Sequence, residues 1–88
     1  MEKREEKLEK RKQEEILAML KEIRPEFDFA TSDNFIEDGL LDSFDIITLI
    51  SMLEETYHKK IDGLDTVPEN FFSIEDMIRV VEKSEGRN

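Results

Sequence analysis

The sequence has no cysteine among its 88 residues, a single histidine, and only three glycines and two prolines. The missing cysteine removes disulfides, thiolate catalysis and Cys-type zinc sites together. Nowhere does an apolar run approach the roughly 18 residues a membrane helix needs, and no apolar N-terminal segment follows a basic start. The sequence therefore predicts neither a membrane span nor a signal peptide, and the expected location is the cytoplasm. Strand-like alternation and internal repeats are also missing, which leaves helical periodicity as the organising signal.

What is abundant is acid, and it is unevenly placed. Residues 1–24 carry 8 Lys+Arg against 7 Asp+Glu, a balance of +1. Residues 25–88 carry 5 against 16, a balance of −11, giving the net charge of −10. A segment this acidic repels nucleic acid, whose phosphates require Lys and Arg, and repels anionic membrane surfaces for the same reason. It attracts basic protein partners and speeds encounter with them. The first 15 residues, "MEKREEKLEKRKQEE", hold one internal apolar residue, Leu8. The other residues, about 73, are enough for one modest core, burying roughly 60% of the unfolded chain's surface. That is small for an enzyme that must enclose a substrate in a dry pocket.

Ile16, Met19, Leu20 and Ile23 fall on one face of a first helix. Charged residues of good helix propensity continue that helix backwards past Gln13 into solvent. Pro25 ends it, because the residue before proline avoids the α region. Residues 26–41, "EFDFATSDNFIEDGLL", read as a long loop pinned by Phe35 and Ile36, with Phe27 or Phe29 assisting. A second helix opens at Ser43, with Asp42 as N-cap and Asp45 closing a capping box. On a helical wheel Ile46, Leu49, Ile50, Leu53 and Tyr57 form its core face, while Phe44, Ile47, Ser51, Glu54 and Glu55 lie roughly 80° to 180° away. Asp62–Gly63 marks a turn, and Pro68 opens a short helix over Val67 to Phe72. Ser73 with Asp76 then caps a last helix carrying Ile74, Met77, Ile78 and Val81. The expected fold is all-α: three main helices plus a short one, with a long loop after the first, in a small bundle.

Ser43 stands where that acidic second helix begins, and three kinds of chemistry could use a serine there. A hydrolytic nucleophile needs a neighbouring base. The one histidine, His58, lies about 22 Å along the same helix at 1.5 Å per residue, and no G-x-S-x-G elbow exists. A calcium loop fails as well, since aligning Gly39 with the invariant EF-hand glycine puts Ile36 where an oxygen ligand is required. Attachment of a group by another enzyme needs no internal base. It needs only an exposed hydroxyl, and a phosphodiester there would lie beside the free N–H groups and positive dipole end of the helix.

The stretch "EDGLLDSFDIITLISMLEE" resembles the phosphopantetheine attachment segment of acyl carrier proteins, with Asp42-Ser43-Phe44 in the place of their Asp-Ser-Leu triplet. The resemblance covers most of Ile16 to Lys83. It takes in "DNFIEDG" before the serine and "IDGLDTVPENFFSIEDMI" after the second helix. It implies a four-helix carrier bundle over residues 16–84, preceded by a charged helical extension at 1–15 and followed by a tail at 85–88. It implies that Ser43 receives phosphopantetheine from coenzyme A through a phosphopantetheinyl transferase, and that the arm then holds an acyl or aminoacyl group as a thioester. The chain would act as a cosubstrate, not an enzyme. Asp42, Phe44, Asp45, Ile47, Glu54 and Glu55 match positions where carriers meet the transferase, activating ligases and acyltransferases. The expectation is a monomer without nucleic-acid, metal or membrane-inserted partners.

Thr48 stands where the fatty-acid-synthesis carriers usually have an acid, and Ser51 where they usually have Met. "DGLLDSF" replaces their more typical D-L-G-x-D-S-L. In these features the chain looks more like stand-alone D-alanyl and other aminoacyl carriers served by adenylating ligases. The reading from a different class is an unmodified acidic helical module that binds a basic partner through Phe44, Ile47 and the neighbouring acids.

Overall fold

The computed structural model describes residues 2–86, with side chains from residue 10 onward. Met1, Arg87, Asn88 and the side chains of residues 2–9 lie outside the described part, and so do the expectations that fall on them. The fold is mostly helical. Helix α1 spans Glu2–Ile23, α2 spans Ser43–Tyr57 and α3 spans Ile74–Lys83. Between them run three short 3₁₀ segments, Phe29–Thr31, Gly63–Asp65 and Pro68–Phe71.

Each helix buries most of the face its spacing predicts, although in α3 Ile74 is only half-buried and Val80, outside the expected set, is buried. Ile16, Met19 and Leu20 of α1, Ile46, Leu49 and Leu53 of α2, and Met77, Ile78, Val80 and Val81 of α3 meet in one core. Ile23, Ile50 and Tyr57 are half-buried at its edge. Helix α1 is continuous through its charged half, and its first buried residue among those described is Ile16. Polar contacts add to the packing where the core thins. The Tyr57 hydroxyl donates to Glu15 Oε1 at 2.9 Å, joining α2 to α1, and Lys12 Nζ lies 3.7 Å from Glu82 Oε2 on α3.

The long loop is held by Phe35 through both side chain and backbone. Its ring is buried edge-on against Phe29, with centroids 5.2 Å apart. Its N–H donates to the Phe72 carbonyl at 2.8 Å, and its own carbonyl accepts from Leu40 and Leu41. Of the four pins the sequence suggested, Phe35 and Phe29 are fully buried, while Ile36 and Phe27 are half-buried. Leu41, the last loop residue before the α2 cap, joins the core as well. The loop turns at Gly39, whose φ of +75° lies in the left-handed region that glycine enters without steric cost.

Two expectations need correcting. The short helix after Pro68 is a 3₁₀ segment of four residues, with Val67 as its N-cap; that tighter winding is common in pieces this brief. The expected turn at Asp62–Gly63 is present as a single 3₁₀ turn, with the Asp62 carboxylate accepting from the Leu64 N–H at 2.9 Å. The chain also contains a two-stranded antiparallel pair, β1 (Lys59–Lys60) with β2 (Glu85–Gly86). So the start of the expected C-terminal tail is paired, not loose. Two residues are too few for alternation to show, and the pairing follows from α2 and α3 delivering their exits side by side.

Candidate functional site

Asp42 and Asp45 close the capping box that the sequence predicts. Asp42 Oδ1 accepts from the Asp45 N–H at 2.9 Å, and Asp45 Oδ2 accepts from the Asp42 N–H at 3.1 Å. This reciprocal pair satisfies two donors at the start of α2 and fixes the direction in which the helix leaves the loop. Ser43 occupies the first helical position directly behind the cap, and it is exposed. Phe44 is 79% exposed and Ile47 is 63% exposed, so two large apolar side chains stand bare beside the serine. Leaving both in water forgoes burial that would otherwise favour folding by about 2 kcal/mol each. Thr48 and Ser51 continue the exposed face, and the Thr48 hydroxyl donates back to the Phe44 carbonyl at 3.2 Å.

The structure divides the six residues matched to partner recognition. Asp42, Phe44, Ile47 and Glu55 present their side chains to solvent. Asp45 does not; it is 7% exposed and its carboxylate is turned into the cap. Glu54 is half-buried, and its Oε2 accepts from the Ile61 N–H at 2.9 Å, tying the end of α2 to the segment after β1. Both carboxylates are thus engaged within the fold. The helical wheel placed Glu54 correctly by angle, but it carries no information about a backbone donor seven residues downstream.

Arg24 is a residue that the reading of the sequence passed over. It follows the last residue of α1, and its guanidinium lies against the start of α2. Nε donates to Asp45 Oδ2 at 2.9 Å, Nη2 to Asp42 Oδ2 at 3.3 Å, and Nη1 lies 3.8 Å from Glu26 Oε2. The hydrogen bond to Asp45, followed by that residue's charge, raises the Arg24 pKa further. The Asp45 N–H holds the Asp42 carboxyl below the usual carboxylate range, and the Arg24 charge acts in the same direction. A signal was present in the sequence: residues 25–58 contain no Lys or Arg at all. A lone cation at the border of so long an acidic stretch is placed to find carboxylates.

His58 closes the far end of α2. It is the C-cap, exposed and in the left-handed conformation with φ 53°. Ser43 and His58 stand at opposite ends of one fifteen-residue helix, so they form no dyad. No group of His, Asp or Glu among the described residues is arranged to hold a metal ion. No described helix is long and apolar enough to cross a membrane. An open groove of about 510 Å³ lies between α1, the Phe29 turn and the start of α3, lined by Leu17, Phe29, Phe35 and Ile74. Ser43 does not line it, and stands instead on open surface. No family model, curated protein or solved structure matches this chain.

Proposed function

We propose that this chain is an acyl carrier protein whose arm is attached at Ser43. The observation that carries the reading is an exposed serine hydroxyl at the first position of a capped helix, with Phe44 and Ile47 bare beside it. In this reading the fold is a four-helix carrier bundle, with Pro68–Phe71 in the place of the short third helix and α3 as the fourth. A phosphopantetheinyl transferase supplies the catalysis. The Ser43 Oγ forms a bond to the coenzyme A phosphorus that bears pantetheine. The bond from that phosphorus to the bridging oxygen breaks, adenosine bisphosphate leaves with the electron pair, and the serine proton passes to a base of the transferase. This accounts for a serine without a base of its own.

The terminal thiol of the arm then supplies the nucleophile that a cysteine-free chain lacks. A ligase or acyltransferase loads it with an acyl or aminoacyl group as a thioester, and the chain presents that group to further enzymes, in the cytoplasm. Phe44 and Ile47 give partners an apolar contact, and Asp42 and Glu55 steer basic surfaces toward it. Thr48 and Ser51, both on the exposed face, favour the aminoacyl or D-alanyl branch served by an adenylating ligase over fatty acid synthesis. The competing reading is an unmodified interaction module, which the same bare Phe44 and Ile47 would serve.

Incubation of the full chain with coenzyme A and a broad-specificity phosphopantetheinyl transferase separates the two. The expected result is a mass gain of one phosphopantetheine in the wild type and none in Ser43→Ala. A folded wild-type chain that gains no mass would favour the interaction module.

A further inference from the structure

We propose that Arg24 balances the charge of the group attached to Ser43: its Nη2 moves from Asp42 to an oxygen of the phosphodiester while its Nε stays on Asp45. The inference rests on the carrier reading above and assigns a role to a residue outside the attachment motif.

The three contacts of the guanidinium are unequal. Nε meets a carboxylate whose side chain is only 10% exposed and which is also fixed by the Asp42 N–H, so this contact is an anchor. Nη2 meets Asp42 at 3.3 Å and Nη1 meets Glu26 at 3.8 Å, and those side chains are 56% and 54% exposed. Exposed pairs of that kind contribute little. Asp42 keeps its own hydrogen bond from the Asp45 N–H through its other oxygen, so losing Nη2 does not undo the cap. Arg24 therefore has one fixed arm and two exchangeable ones, and the partners of Nε and Nη2, Asp45 and Asp42, lie within two residues of Ser43 in the chain.

The charge balance gives the exchange its direction. A phosphodiester on Ser43 adds a negative charge beside Asp42 and two residues from Asp45. Residues 25–58 contain nine acids and no Lys or Arg. Arg79 and Lys83 of α3 are paired with Asp76 and Asp65. Among the described residues, Arg24 is the cation in contact with the start of α2. A guanidinium suits the task, since its planar fork matches phosphate oxygens and can hold two anions at once.

The test compares unfolding temperatures of unloaded and loaded full-length protein for the wild type, Arg24→Gln and Arg24→Lys. A purely structural Arg24 lowers both forms of Arg24→Gln alike. The proposal expects loading to lower Tm by about 3 °C or more beyond its effect in the wild type. It expects Arg24→Lys to restore most of that difference, and Asp42→Asn to relieve it in the Arg24→Gln background. Equal loading shifts in wild type and Arg24→Gln overturn the proposal. If Arg24→Gln does not fold, the wild type decides alone: the side-chain N–H signals of Arg24 must shift on loading, and unchanged signals are fatal. If the wild type accepts no phosphopantetheine, the carrier reading fails separately. The unloaded cycle of Ser43→Asp with Arg24→Gln or Arg24→Lys then decides whether Arg24 pairs with an anion at residue 43. Additive Tm changes overturn that pairing, and coupled ones uphold it.

Discussion

Arg24 Nε donates to Asp45 Oδ2 across 2.9 Å, joining the end of α1 to the first turn of α2. The same carboxylate oxygen accepts from the Asp42 N–H, so one buried side chain serves as helix cap and as interhelical tie. The direction in which Ser43 leaves the loop is set by this pair more than by the serine itself. Truncating Asp45 to alanine leaves the Asp42 N–H without its acceptor and Arg24 without its anchor. Asp45→Ala is expected to destabilise the fold by about 2 kcal/mol, the range for a hydrogen bond to a charged partner. Urea unfolding followed by helix ellipticity measures it, and a loss below about 0.5 kcal/mol would mean that the tie is dispensable.

Glu54 and Glu55 are neighbours with different tasks. Glu54 accepts from the Ile61 N–H, and Glu55 projects into solvent. Glu54→Ala leaves a partly buried N–H unpaired and is expected to cost about 1–2 kcal/mol of stability. Glu55→Lys is expected to leave stability within about 0.5 kcal/mol of wild type. On the carrier reading it should nonetheless slow modification by a phosphopantetheinyl transferase several-fold at low salt, with the difference shrinking as salt screens exposed charges beyond about 10 Å at 0.1 M. Initial rates of mass gain across a salt series check this. A Glu55→Lys rate equal to wild type at low salt would remove Glu55 from the recognition surface.

Periodicity in the sequence located the core face of each helix, and local chemistry located the caps at Asp42 and Ser73. Both signals act over a few residues, which is why they were legible. The bareness of Phe44 and Ile47 was legible for the same reason, as an angle on a wheel. Arg24 with Asp45, Tyr57 with Glu15, and β1 with β2 are separated by 21 to 42 residues in the first two cases and 25 to 27 in the last. Such pairs depend on how whole elements dock. The burial of Asp45 belongs with them: its role in the cap was visible locally, but its tie to Arg24 was not.

Gly39 tests the loop without touching the core. Its φ is +75°, and a Cβ placed there would meet nothing within 4 Å. Any penalty for Gly39→Ala is therefore backbone strain and not a clash, about 1 kcal/mol. Because the turn ends two residues before Leu41, which is buried, the strain should pass into the segment that leads to Ser43. Faster amide exchange at Leu40 and Leu41, whose N–H groups donate to the Phe35 carbonyl, is the expected accompaniment. An alanine variant as stable as wild type, with unchanged exchange, would show that the loop reaches its turn without the left-handed residue.

Tyr57 is the only tyrosine, so its ionisation can be followed directly by absorbance. Burial raises its pKa above the usual value near 10, and the hydrogen bond to the Glu15 carboxylate, together with that group's charge, raises it further. A raised pKa means that the folded chain keeps a proton the unfolded chain releases. The stability this contributes is complete below about pH 10 and declines as the pH rises beyond it. Tyrosinate absorbance is therefore expected to appear only as helix ellipticity is lost, well above pH 10. Tyr57→Phe is the control: its stability should fall less steeply between about pH 10 and 12. Absorbance rising with a midpoint near 10 while the helices stay intact would show that the Tyr57 hydroxyl is free of Glu15 in solution.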